Sequence, residues 1–298
     1  MAIKAVVFDF GGVLIDWNPE YVYTRLIPDA TERRWFMDNV VAGDWVLQQD
    51  AGQTIADGNA ELIARFPEHE ALIRAFYERW QEMLGGVLED GVALVDKLEA
   101  ADVPLFGLTN WSAETFPWAW ERFPVLQRFR EVVVSGRVLV AKPDPAIFAL
   151  MWAEIEKHLP GIQPQEVVFI DDNAKNIRAA TALGWNAVHH TNGEQTEARL
   201  KALGLPVRSL PEQILERVAD AFHYAAGVFS HAFGVHANHL REARREFFHQ
   251  ALVERELGVA QIAVEFEVQL DLIVILQRGN RELRRNGEKC VERIAVIR

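Results

Sequence analysis

The sequence predicts an α/β fold: an open parallel sheet with helices on both faces, and a purely helical insertion above one edge. Three observations support this. Short β-branched and aromatic runs alternate with amphipathic helical stretches. Polar residues gather where those runs end, and open parallel sheets bind ligands beyond the carboxyl ends of their strands. One stretch, residues 18 to 85, keeps helical spacing throughout and interrupts the alternation.

Taken in order, residues 3 to 8 read as a short buried strand, closed by Asp9 and the pair Gly11 and Gly12. From Asn18 to Gly85 the segments "PEYVYTRLI", "TERRWFMDNVV", "TIADGNAELIARF" and "HEALIRAFYERWQEML" place apolar residues three and four apart. No strand is expected there. "VALVDKLEAAD" is a helix, and "VPLFGLTN" is a second buried strand ending in Thr109 and Asn110. "EVVVSG" is a third strand. "DPAIFALMWAEIEKHL" is a helix entered through prolines, whose fixed φ suits a first turn. "EVVFIDD" is a fourth strand, ending in Asp171 and Asp172. "AKNIRAATALG" is the helix after it, stopped at Gly184, and "NAVHH" is a fifth strand.

Composition narrows the class of protein. The chain has 298 residues, half of them hydrophobic, and a formal net charge of -12. That charge argues against nucleic acid or an anionic membrane as partner. A single cysteine, Cys290, rules out an internal disulfide framework and fits a reducing compartment. The N-terminus shows no basic segment followed by a long apolar run. The late apolar stretch "VAQIAVEFEVQLDLIVIL" carries Glu265, Glu267 and Asp271, which disfavours a membrane span. A soluble cytoplasmic protein is expected.

Asp9, Thr109 with Asn110, Lys142, and Asp171 with Asp172 come from four separate segments, each at or near a predicted strand end. The set suits an anionic substrate. A carboxylate can attack phosphorus and form an aspartyl phosphate, which splits a hard hydrolysis into two steps. A hydroxyl and an amide can hold the oxygens that stay behind. A lysine offsets negative charge, and further acids can hold a hard divalent cation, since Mg²⁺ needs only one or two carboxylates.

The stretches "VVFDFGGVL", "VPLFGLTNWS", "AKPDPAIF" and "VVFIDDNAKNIRAA", in that order, resemble the haloacid dehalogenase superfamily of hydrolases, in the subgroup with a helical cap after the first strand. The branch most resembled holds sugar phosphatases and the phosphatase domain of epoxide hydrolases. The resemblance implies a Rossmann-like core of residues 1–17 and 86–208 with a helical cap of residues 18–85. It implies Asp9 as nucleophile, Lys142 as its charge partner, and Thr109, Asn110 and Trp111 at the phosphoryl group. It also implies Mg²⁺ held by Asp9, Asp172, Asp171 directly or through water, and the backbone carbonyl of Gly11. The expected reaction is Mg²⁺-dependent hydrolysis of a small phosphorylated metabolite.

Most phosphatases of the superfamily carry a second aspartate two residues after the nucleophile, as proton donor to the leaving alcohol, although the sequence resembles one phosphatase branch with Asp-x-Gly there. Here Gly11 stands in that place, and glycine transfers no proton. A good leaving group, water or a cap residue would then serve, and Asp16 is one such candidate. The first alternative is a metal-independent 2-haloacid dehalogenase, because halide leaves without a proton. Adjacent Asp171 and Asp172 speak against it: they repel unless a cation intervenes. Val13 also stands where dehalogenases have a hydroxyl. A second alternative is a non-catalytic binding module on the same fold.

Trp17, Trp45, Trp111, Trp118 and Trp120 are candidates to line a pocket, with core packing the blander reading for all but Trp111. Trp45 and Gln48 are expected to face the site from the cap, and Asn176 to support the acidic loop. Residues 209–298 fall outside the resemblance. His231, His236 and His239 there match no standard zinc spacing. That extension reads either as an oligomerisation arm, a homodimer being the simplest form, or as a segment without selected function.

Overall fold

The computed structural model describes residues 2–207. The expectations for residues 209–298, among them the histidine cluster, Cys290 and the homodimer arm, lie outside the described residues.

The central sheet joins β1 (Ala5–Phe8), β4 (Leu105–Thr109), β5 (Val132–Val134), β6 (Val167–Asp171) and β7 (Asn186–His189) in the order β5-β4-β1-β6-β7. Every neighbouring pair is parallel. Each strand is short and built from β-branched or aromatic residues, and all four residues of β1 are buried. Alternation along β1 separates two cores. Val6 and Phe8 join Leu94, Val95 and Leu98 of the helix Glu89–Glu99 on one face. Val7 meets Ile147, Phe148, Met151 and Ile155 of the helix Pro145–His158 on the other. Crossover helices therefore cover both faces, as parallel strands require.

The helical insert holds α1 (Glu20–Leu26), α2 (Ala30–Asn39), α3 (Gly43–Asp50), α4 (Ile55–Arg65) and α5 (Glu70–Glu78). Asp29 and Thr54 start α2 and α4 by accepting backbone N–H bonds with their side chains. The insert has an aromatic core of its own, in which Tyr23 packs on Phe36 and Phe76, and Trp45 on Phe76 and Tyr77.

One expectation fails here. The insert ends in a strand, β3 (Leu84–Val87), which pairs antiparallel with β2 (Ile15–Trp17) to form a ribbon. "LGGV" contains two glycines, which depress strand propensity, and its partner lies on the far side of five helices. The third predicted strand is also shorter than expected. It stops at Val134, and Ser135–Val138 turns into a helix. Among the described residues, no helix is long and apolar enough to cross a membrane.

Candidate active site

β1, β4 and β6 are adjacent and parallel, so their carboxyl ends open on one edge. Asp9 follows β1, Thr109 closes β4 and Asp171 closes β6. The sheet itself thus brings three of the sequence-predicted groups together.

Lys142 is the hub. Its Nζ lies 2.9 Å from Asp9 Oδ2, 2.7 Å from Asp171 Oδ2 and 2.9 Å from the Leu108 carbonyl oxygen. An ammonium has three protons, and each has an acceptor here. The lysine side chain is wholly buried, so it works as a fixed charge. Burial pulls its pKa down, but Asp9 and Asp171 hold it above the ordinary lysine value on balance.

Asp9 is buried, and burial raises its carboxyl well above the usual range. Lys142 opposes that rise, while the charges of Asp171 and Asp172 add to it. Its Oδ1 accepts the Phe10 backbone N–H at 2.7 Å. Asp171 accepts from Lys142, from the Asn173 backbone N–H at 2.7 Å and from Asn176 Nδ2 at 3.1 and 3.0 Å. The expectation that Asn176 supports the acidic loop is met. Asp172 is more open, with a pKa raised by burial and by Asp171. His189 Nε2 lies 2.7 Å from its backbone carbonyl oxygen.

Asp9, Asp171 and Asp172 each bring an oxygen within 4.8 Å of the others. Three carboxylates thus meet where one ammonium bridges Asp9 and Asp171, and the surplus negative charge is of the kind a divalent cation offsets. The donor set fits a hard, oxygen-seeking ion. Gly12 makes the approach sterically feasible. Its φ is +69°, and a Cβ there would stand 2.3 Å from Asp172 Oδ2. At Gly11, by contrast, a Cβ would meet nothing within 4 Å.

The polar residues after β4 divide their roles. Thr109 Oγ1 is buried without a hydrogen-bond partner. Asn110, expected to hold substrate, spends its side chain elsewhere. Its Nδ2 donates to the Lys142 carbonyl oxygen at 2.9 Å, and its Oδ1 accepts the Lys142 N–H at 2.8 Å. It therefore clamps the lysine loop. Trp111 is buried, donates its backbone N–H to Ser135 Oγ at 2.9 Å, and lines the site cavity.

That cavity, about 620 Å³, lies between the sheet edge and the helical insert. Gly11, Lys142, Asn110 and Trp111 line it from the sheet side, and Trp17, Trp80 and Asp50 from the ribbon and insert. One aromatic expectation, that Trp45 faces the site, needs correction, while for Trp118 and Trp120 the core-packing reading holds. Trp45 faces the core of the insert, where its Nε1 donates to the Gly58 carbonyl oxygen at 3.0 Å. Trp118 packs on Phe123, and Trp120 on Phe116, away from this cavity. Gln48 is exposed and does not line it; Leu47 and Asp50 do. Asp16 is no substitute acid, because its carboxylate accepts the Tyr21 hydroxyl at 2.5 Å on the ribbon. Trp80 went unnoticed in the sequence, since its neighbours spell an ordinary amphipathic helix.

A profile of haloacid dehalogenase-like hydrolases matches residues 3–184. The chain is 26% identical over 194 residues to the N-acetylmuramic acid 6-phosphate phosphatase of Pseudomonas aeruginosa, covering 62% of this chain and 80% of that protein. It is 28% identical over 228 residues to the phosphoglycolate phosphatase of Chromobacterium violaceum, covering 70% and 94%. Among solved structures, a HAD-like family hydrolase from Porphyromonas gingivalis superposes with a TM-score of 0.51 at 23% identity, over 68% of this chain and 98% of that one, a likeness of fold. The profile match spans more than half of the chain and contains every strand-end group described above: the chain belongs to the haloacid dehalogenase-like hydrolases.

Proposed function

We propose that this protein is a Mg²⁺-dependent phosphatase acting on a small phosphorylated metabolite through an aspartyl-phosphate intermediate. One observation carries the reading: three carboxylates meet where a single ammonium bridges only two of them and has every proton engaged. A metal-free dehalogenase has no use for that surplus of negative charge. The phosphatases from Pseudomonas aeruginosa and Chromobacterium violaceum, similar over most of their own length, support the same reaction class.

In this reading Asp9 attacks phosphorus, and the ester oxygen leaves. Lys142 pulls the Asp9 carboxyl down against the burial that raises it. Asn110 fixes the lysine loop, and Asp171, itself held by Asn173 and Asn176, fixes the ammonium. Thr109 offers a buried hydroxyl beside the reacting group, and Trp111 walls the cavity. Mg²⁺, held by Asp9, Asp172 and the Gly11 carbonyl with Asp171 behind, would supply neutralisation of the phosphoryl oxygens. The helical insert acts as a cap that shields the transfer step from bulk water.

The test is a panel of phosphate esters assayed with and without EDTA, alongside L-2-chloropropionate. The reading expects EDTA-sensitive phosphate release and no halide. EDTA-insensitive halide release would overturn it.

A further inference from the structure

Gly11 leaves the leaving group without a proton from the sheet side, and a protein donor in its place would stand elsewhere on the cavity wall. The titratable residues lining that wall, among the described residues, are Asp38, Asp44, Asp50, Lys142 and Lys175. Lys142 has its three protons committed. Asp38, Asp44 and Lys175 are solvent-exposed, and Asp38 pairs with Arg34. Among these residues Asp50 alone is a half-buried carboxyl.

Asp50 is also the residue that the fold brings to the sheet most deliberately. It ends α3, which packs on the helix Ser135–Val138. The following turn is pressed against the core: Gly52 has φ +103°, and a Cβ there would stand 2.3 Å from Leu139 Cδ2. Three residues later, the Ile55 N–H donates to Glu114 Oε1 at 2.7 Å. The backbone N–H of Ser112, one residue past Trp111, favours the charged form of the Asp50 carboxyl. Latched at Glu114 and Leu139, the tip of the insert holds this carboxyl over the same cavity that Gly11 and Lys142 floor.

We propose that Asp50 is the proton donor of the transfer step, supplying from the insert the acid that Gly11 cannot. The proposal rests on the phosphatase reading. As the Asp9 Oδ–P bond forms and the P–O bond to the leaving group breaks, the Asp50 carboxyl proton passes to the leaving oxygen. The Asp50 carboxylate then takes a proton from the water that attacks phosphorus; the Asp9 Oδ–P bond breaks, phosphate leaves and Asp50 is protonated again.

The electrostatics agree. Burial raises the Asp50 carboxyl to about 7, against the Ser112 N–H and the Lys142 charge, which pull it down. The Tyr77 hydroxyl is pushed up by burial first, and then by the charges of Asp50 and Glu114. A donor near neutral pH serves both halves of the cycle.

The experiment uses the full chain and aryl phosphates of similar bulk, from phenyl to 2,4-dinitrophenyl phosphate. First-turnover rates are measured for the parent and for Asp50→Asn. Loss of general acid catalysis should slow phenyl phosphate about 10²- to 10⁴-fold, leaving the dinitrophenyl ester nearly untouched. Retained turnover of that ester is also the control for folding. Equal losses across the series, or none, would overturn the role of Asp50. Failure of the parent to hydrolyse any ester would instead sink the phosphatase reading, and Asp50's role with it.

Discussion

Replacing Lys142 with Met should convert a satisfied charge cluster into a repulsive one, with a cost that depends on pH. The ammonium neutralises two buried carboxylates at 2.9 and 2.7 Å. Without it, two negative charges no more than 4.8 Å apart remain. At an effective dielectric of about 20 they repel by at least about 3.5 kcal/mol. Breaking a buried pair costs about 3–5 kcal/mol by mutational experience, and the two figures agree. For a chain of this size that corresponds to a fall in Tm of about 6–20 °C. The sign with pH follows from Asp9, whose carboxyl already stands well above its usual range with the lysine present. A group raised in this way contributes most at low pH, and that contribution is lost as pH rises through its folded-state pKa. In Lys142→Met the rise is larger, so the deficit should be large at about pH 8 and should shrink towards about pH 5. Thermal unfolding of both proteins at the two pH values, in EDTA, measures it. Deficits equal at both pH values, or a Tm that does not move, would refute the charge-cluster argument.

Three further outcomes are expected. Gly12→Ala should cost about 1–3 kcal/mol for its left-handed backbone and should weaken Mg²⁺ binding by calorimetry, because its Cβ would collide with Asp172. Gly11→Ala has open space at its Cβ and should stay within about 0.5 kcal/mol of the parent in denaturant melts. Asp172→Ala should raise the Mg²⁺ needed for half-maximal turnover by more than about tenfold, and an unchanged metal titration would count against the ligand assignment.

The sheet edge was legible in the sequence for a physical reason. Parallel strands buried on both faces read as unbroken apolar runs, so the first polar residue after each marks where the strand leaves the core. Asp9, Thr109 and Asp171 each announce themselves in that way. What the insert presents to the site was not legible. α3 offers two faces, and Trp45 looks like the pocket-facing one. It turns inward because Phe76 and Tyr77, two helices away, give it an aromatic socket, leaving Leu47 and Asp50 for the cavity. The clamp made by Asn110 was hidden for a related reason: its partner is the backbone of Lys142, a contact that no local pattern encodes. The raised acid at Asp50 comes from burial, which the chain around it creates only in three dimensions. The β2–β3 ribbon is short and Gly-rich on one side, so its pairing outweighs propensities that point the other way.

The most direct test of the central claim is where the phosphoryl group first lands. A single turnover with ³²P-labelled ester, quenched in acid and mapped by peptide, should leave label on the peptide containing Asp9. Asp9→Asn should show neither that label nor phosphate release. Label on another residue, or phosphate released at the parent's rate by Asp9→Asn, would contradict a nucleophile at the end of β1.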